Sequence, residues 1–187
     1  LLDRDAAAAE DLAAELTREQ GLAGNAAAAS GHGVDVTDWQ ALSGVIDTLA
    51  AEHGRLDIVV ANAGMGDYSS LSTGDPDRWR KVVDINLMGV LHTVRACLPH
   101  QVEQGSGDIV LMASIAGRQT WVGEPVYIAT KWAVVGLGWA LRKEVLDHGI
   151  RVSMIEPGMV DTPLVHSTEE GRQELASYAA LSAEDVA

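Results

Sequence analysis

Two hydrophobic rhythms alternate along the chain. Short runs such as LDIVVANAG (56–64) and GDIVLMAS (107–114) are apolar at successive positions. The longer segments between them carry apolar residues every three or four positions. Continuous apolar runs fit strands covered on both faces, and the longer period fits amphipathic helices. The pattern predicts helices over 4–20, 37–54, 75–102 and 125–149, and a final loop and helix rich in Ser, Glu and Ala. It predicts strands ending at 1–3, within 21–38 near GVDV, and over 56–64, 107–114 and 150–157. Thr37 or Asp38 can cap the second helix and Gly54 can stop it. Pro125 can open the last long helix without loss of a hydrogen bond. Such an alternation predicts an α/β doubly wound parallel sheet with helices on both faces. Its ligand crevice lies at the C-terminal strand ends. With no internal repeat, linker or charged tail, residues 1–187 read as a single domain.

Composition narrows the partners. Of 187 residues, 47% are hydrophobic and 21% charged, which is globular rather than disordered, and the net charge is −14. That charge repels phosphate backbones and anionic lipid, so neither nucleic acid nor a membrane is an expected partner. Cys97 is the one cysteine, set in the apolar context RACLPH. It reads as a buried structural thiol in a reducing compartment, hence a cytoplasmic protein. The six histidines have no metal-binding spacing and no CxxC beside them, so no metal site is expected. No run reaches the length of a membrane span, and LLDRDAAAAEDL turns acidic too early for a signal peptide.

Candidate chemistry centres on YIATK (127–131), where Tyr127 and Lys131 stand four apart on one helix face. A free phenol titrates near pH 10 and is a poor base at neutrality, whereas a nearby ammonium favours the phenolate. A packed ring beside a lysine that reaches for solvent is the competing reading of the pair. Three further features converge on the same sheet edge. Ser114 ends DIVLMAS, Asn86 lies in DINLMG, and NAG (62–64) closes a strand in a turn tight enough for a cofactor to approach.

In this order, NAG, Asn86 in NLMG, Ser114 in SIAG, the Tyr127–Lys131 pair and PGMVDT (157–162) resemble the short-chain dehydrogenase/reductase family. The gap of 13 residues from Ser114 to Tyr127 is similar to that family's, and the resemblance runs along the whole chain. It implies a Rossmann-like fold and NAD(P)-dependent hydride transfer between nicotinamide and an alcohol or ketone. By the same resemblance Tyr127 would be the general acid or base and Ser114 would bind the substrate oxygen. Lys131 would lower the Tyr127 pKa and bind the nicotinamide ribose, and Asn86 would hold a proton-relaying water. The cofactor contacts implied are Asp3, Asp35, Val36, Asn62, Ala63, Gly64, Pro157, Gly158 and Thr162, together with Tyr127 and Lys131. A homotetramer or homodimer is implied too, through the helices at 75–102 and 125–149. Leu137, Trp139, Leu141 and Val145 are available for that contact.

Asp3 ends a strand where a carboxylate can accept ribose hydroxyls and repel the extra phosphate of NADP, which favours NAD. Arg4 is the contrary sign, a cation able to pair with that phosphate. Trp121, Val122, Met65, Met159, Val160, Leu164 and Val165 suggest an apolar pocket for a small alcohol or ketone, with Ser114 and Tyr127 at its base. Departures from the family pattern are the absent first strand with its TGxxxGxG phosphate loop and the absent last strand. The chain is therefore expected to be incomplete at both ends. The alternative function is a catalytically silent nucleotide-binding regulator or scaffold on the same fold.

Overall fold

The computed structural model describes residues 1–19, 28–166, 169–177 and 179–186, without the side chains of Glu170 and Glu174. In chain order its main elements are β1 (Leu2–Asp3), α1 (Ala6–Glu19), β2 (His32–Gly33), α2 (Trp39–His53) and β3 (Ile58–Ala61). There follow α3 (Pro76–Val83), a π-helical segment (Asp84–Gly89), α4 (Val90–Gln104), β4 (Gly107–Met112), α5 (Pro125–Glu144) and β5 (Ile150–Ile155). Two short helices close the chain, α6 (Pro163–His166) and α7 (Glu169–Leu175). The helix ends follow local chemistry. The Asp38 carboxylate accepts the Ala41 N–H at 3.0 Å, and Gly54 terminates α2 at a φ of 74°. Part of the small-residue strand expected within 21–38 falls on residues 20–27, outside the described residues. The described part is the short β2.

Among the described residues all strand pairs are parallel, in two groups, β1–β2 and β3–β4–β5. One shared core joins the groups. Val34, with Leu2 packed beside it, meets Leu42 and Ile46 of α2, Val59 of β3 and Ala96 and Cys97 of α4. The opposite face of β1–β2 belongs to α1. A side chain at Gly31 would stand 2.4 Å from the Ala9 carbonyl, so glycine is what lets that helix close on the strand. Helices thus flank the sheet from both faces, as in a doubly wound Rossmann-like α/β fold. A second core gathers Val90, Val94, Ile109, Leu111, Val134, Leu141 and Val152, fixing α4 and α5 on one face of β3–β4–β5.

Three expectations need correction. The helix expected over 75–102 is interrupted by the π segment, which contains Asn86. The β3 strand is covered on one face only: Val59 and Ala61 are buried, while Ile58 and Val60 are 67% and 53% exposed. Among the described residues no helix covers them, so a continuous apolar run was not sufficient evidence of cover on both faces. Leu141 and Val145 are buried in the chain's own core at 3% and 1% exposure and cannot serve a subunit contact. Trp132 and Trp139, about half exposed on α5, are the side chains that can. Cys97 is buried, and burial pushes its thiol up to about 12, as a structural thiol requires. Among the described residues no helix is long and apolar enough to cross a membrane, and no cluster of His, Cys, Asp or Glu could hold a metal ion.

Candidate active site

The C-terminal ends of β3 and β4 and the first turns of α5 meet at one place, and each brings a side chain for a local reason. Pro125 sits at the start of α5, directly after Glu124, which sets Tyr127 and Lys131 in its first two turns. Ser114 follows β4 in extended backbone, and its hydroxyl accepts the Ala116 N–H at 3.1 Å to open a short 3₁₀ turn, Ile115–Gly117. That turn lies directly on α5: a side chain at Gly117 would stand 2.9 Å from the Lys131 carbonyl oxygen. The result is a hydrogen bond between Ser114 and Tyr127, the pair that the sequence spacing singled out.

Lys131 is 6% exposed, and its Nζ donates to the Met112 carbonyl oxygen at 2.9 Å. The same nitrogen stands over the Tyr127 ring, 5.7 Å from its centre. Burial lowers the Lys131 ammonium to about 8. The expectation that Lys131 depresses the Tyr127 phenol fails in this arrangement. Tyr127 is raised above its ordinary value, first by desolvation and further by the Glu124 charge, against a lowering by the Ser114 hydrogen bond. The cation bonded to a backbone carbonyl does not offset the loss of water around the phenol.

Asn86 is not a surface amide. It is 1% exposed, and its side chain clamps Met65 from both sides: Oδ1 accepts the Met65 N–H at 2.8 Å, and Nδ2 donates to the Met65 oxygen at 3.0 Å. Nδ2 also donates to Thr130 Oγ1 at 3.2 Å, and the Thr130 hydroxyl donates to the Tyr127 carbonyl at 2.7 Å. Asn86 therefore ties the end of β3 to the first turn of α5. Its side chain is occupied as a clamp between Met65 and Thr130. Gly64 lies between these groups, its absent side-chain position 3.5 Å from Asn86 Oδ1 and 3.9 Å from Lys131 Nζ. Asn62, Ala63 and Gly64 are exposed at the end of β3.

The remaining candidates fall into two groups. Asp3 is exposed at the end of β1, where Oδ1 accepts the Asp5 N–H at 2.9 Å. Asp35 is held below the usual carboxylate range, first by the Thr37 N–H and hydroxyl and further by the Arg4 charge. Val36 packs against Gly89, and its carbonyl accepts His92 Nδ1–H at 2.9 Å. At the end of β5, the Pro157 oxygen accepts the Ile115 N–H at 2.9 Å, which aligns that loop with the Ser114 turn. Gly158 is exposed, the Met159 oxygen accepts the Leu181 N–H, and the Thr162 carbonyl starts α6 by accepting Val165 N–H. Trp121 is 36% exposed, and its indole N–H donates to Glu124 at 2.9 Å.

Sequence reasoning missed two features here. Glu124, 6% exposed three residues before Tyr127, had a detectable signal in its helical spacing. The second, on the loop after β3, had none. The wholly buried Asp67 accepts from Arg78 Nε at 3.0 Å and from Ser69 Oγ at 2.9 Å, while Arg78 Nη2 reaches the Gly66 oxygen. Trp79 Nε1 closes the network on Ser69 at 3.0 Å.

The fold and this arrangement define a Rossmann-like class of α/β protein, and the comparisons name its family. A model of the short chain dehydrogenase family matches residues 1–173, and the chain belongs to that family. A (−)-trans-carveol dehydrogenase of Rhodococcus erythropolis is 41% identical over 136 residues, 71% of this chain and 49% of the relative. The carveol dehydrogenase of Mycobacterium avium, solved in complex with NAD, is 38% identical with a TM-score of 0.73, covering 83% of this chain and 57% of that one. A gluconate 5-dehydrogenase of Burkholderia cenocepacia, solved with NADP and tartrate, is 27% identical with a TM-score of 0.81, covering 95% and 68%. The chain spans about half to three-fifths of the length of the curated relatives it matches.

Proposed function

We propose that the protein is an NAD(P)-dependent oxidoreductase acting on a small, apolar alcohol or ketone, with Tyr127 as its proton carrier. The observation that carries this reading is the hydrogen-bonded Ser114–Tyr127 pair beside buried Lys131, open toward Gly64. These residues suit a nicotinamide nucleotide: Asn62–Gly64 leave backbone exposed beside the lysine, and Asp3 offers a carboxylate for ribose hydroxyls. When bound, that group supplies or takes up the hydride. Ser114 orients the substrate oxygen and Tyr127 exchanges a proton with it. Lys131 offers donors to the ribose hydroxyls, Asn86 keeps the β3 turn in register with α5, and Asp35, Val36, Pro157, Gly158 and Thr162 border the cofactor. Trp121 and Met159 border the substrate.

NAD is the assigned cofactor, with NADP second, because the Arg4 charge already acts on Asp35 while the Asp3 carboxylate faces solvent. The test is a spectrophotometric screen of alcohols and ketones with NAD(H) and NADP(H) on the full-length protein. NAD(H) should give the higher kcat/KM, and Asp3→Ala should narrow the gap. A tenfold preference for NADP(H) in the wild type would transfer the ribose-site role to Arg4. Binding without turnover on any substrate would replace the enzyme with a regulator or scaffold.

Assembly is the second expected outcome. Trp132 and Trp139 stand seven apart and half exposed on α5, with Arg142 and Arg118 at 4.9 and 5.9 Å from the Trp139 ring. Light scattering at micromolar concentration should give a homodimer or homotetramer, and Trp132→Glu should reduce the mass. A monomer in the wild type refutes the assignment. The single-domain reading of 1–187 and the cytoplasmic location, drawn from the lone cysteine, complete the proposal.

A further inference from the structure

The turn after β2 is held from outside itself. The chain leaves that strand at Val34, whose N–H donates to the Asp3 carbonyl at 2.8 Å. Asp35 then accepts the Thr37 N–H and hydroxyl, and the Asp38 N–H donates to the Asp35 oxygen at 3.0 Å. Those bonds fix Asp35, Thr37 and Asp38 but leave the Val36 carbonyl to a distant partner. His92 supplies it: Nδ1–H donates to that oxygen at 2.9 Å, across 56 residues of sequence. The Val36 side chain is located by the same stretch of helix. A side chain at Gly89 would stand 2.6 Å from Val36 Cγ2, so glycine is what lets the valine lie there. Gly89 and His92 are three apart, on one helix face.

The imidazole is itself held in place. His92 is half-buried, and the ring of Trp39, the first residue of α2, lies 5.8 Å from it, tilted by 55°. The Arg95 guanidinium stands over the Trp39 ring at 5.8 Å. The same helical stretch carries Asn86, which clamps Met65 after β3. Residues 86–92 therefore set two turns at strand ends, one after β3 and one after β2. The second turn belongs to the outer strand pair. β2 pairs with β1, whose end carries Asp3, while Tyr127 and Lys131 stand beside the ends of β3 and β4. A nucleotide laid with its nicotinamide at Lys131 and its other ribose at Asp3 brings its adenosine half to Val36.

We propose that His92, held by Trp39 and acting with Gly89, is a positioning residue for the adenosine half of the nicotinamide nucleotide. It sets the Val36 turn, and the turn receives the nucleotide. This rests on the reading that Asp35 and Val36 border the cofactor. No proton or hydride passes through His92, so its contribution is to binding alone. A turn without that hydrogen bond must be ordered when the nucleotide arrives, and the ordering weakens affinity. The effect therefore falls on the Kd and KM of the cofactor, while kcat at saturating cofactor holds. The Nδ1–H donor is present in the imidazolium and in the neutral Nδ1–H tautomer alike, so the bond should persist through neutral pH.

The test titrates the full-length protein with NADH and with reduced nicotinamide mononucleotide, which lacks the adenosine half, following nicotinamide fluorescence. His92→Leu removes the donor and should raise the NADH Kd about fivefold, the scale of one hydrogen bond, with the mononucleotide unchanged. In turnover the same variant should raise the KM for NADH and keep kcat. His92→Asn has nearly the shape of leucine but returns an N–H donor, so it should recover wild-type affinity. Equal weakening of both ligands, or an asparagine variant as weak as the leucine one, overturns the proposal, because either marks a packing defect. Should the leucine variant not fold, Gly89→Ala sets a methyl group against Val36 and should raise the NADH Kd alone. An unchanged Kd there overturns the proposal equally. Asp35→Ala tests the border reading separately. If it weakens NADH while His92→Leu does not, His92 loses its role and the turn keeps its own. If neither weakens NADH, or the wild type binds none, both readings fall.

Discussion

Tyr127→Phe is expected to fold and bind nucleotide normally while losing at least ~10²-fold in kcat, the lower end of what a positioned acid or base contributes. The substitution removes one hydroxyl. The ring keeps its place over Lys131, and the Tyr127 carbonyl keeps its bond from Thr130, so the Asn86 clamp survives. The hydrogen bond to Ser114 is lost, but Ser114 still accepts the Ala116 N–H and holds its turn. The pH dependence follows from the direction of the phenol's shift. Because burial and Glu124 raise Tyr127 and the Ser114 bond only partly offsets them, the protonated donor prevails at neutral pH. Reduction should therefore be flat through neutrality, and alcohol oxidation should climb on the alkaline side. Single-turnover and steady-state rates at saturating cofactor and substrate check both points. Near-normal turnover of the phenylalanine variant would make YIATK structural and assign the proton transfer to another group.

Arg78→Met is expected to destabilise the protein by about 3 kcal/mol, the low end for a broken buried ion pair. Asp67 is fully buried, and loss of the guanidinium leaves its carboxylate with the Ser69 hydroxyl alone. Arg78 is itself 38% exposed, so water can reach part of the vacated space, which argues for the low end. At about 2–4 °C per kcal/mol for a domain of this size, Tm should fall by roughly 6–12 °C. Adding Asp67→Asn removes the stranded charge and should recover part of the loss, which a simple packing defect would not do. A Tm shift under about 2 °C in the single variant would show that the pair does not hold the loop after β3.

Chain order was legible without the structure because it rests on local chemistry. Asp38 and Gly54 bound α2 since a carboxylate can reach the Ala41 N–H and a glycine accepts a positive φ. Pro125 opens α5 because the first turn has no use for its missing N–H. The ordered set from NAG to PGMVDT announced the family, and Ser114, Tyr127 and Lys131 met as their spacing required. These are statements about neighbours in sequence or about one helix face.

What the sequence could not decide depended on groups far apart along the chain. An apolar run says which side chains avoid water but not whether a helix lies over both faces, so the exposure of Ile58 and Val60 was not readable from it. The π segment arises where Asn86 is drawn to Met65 and Thr130, 21 and 44 residues away, and no local propensity encodes that distance. The sign of the Tyr127 shift depended on the same kind of fact. Sequence set a lysine four residues from the phenol, but packing decided where its ammonium points, and it points to Met112. The sequence by itself determined which residues could meet at the strand ends. The tertiary structure decided which atoms face each other and how much water stands between them, and those two quantities set the charge each group can carry.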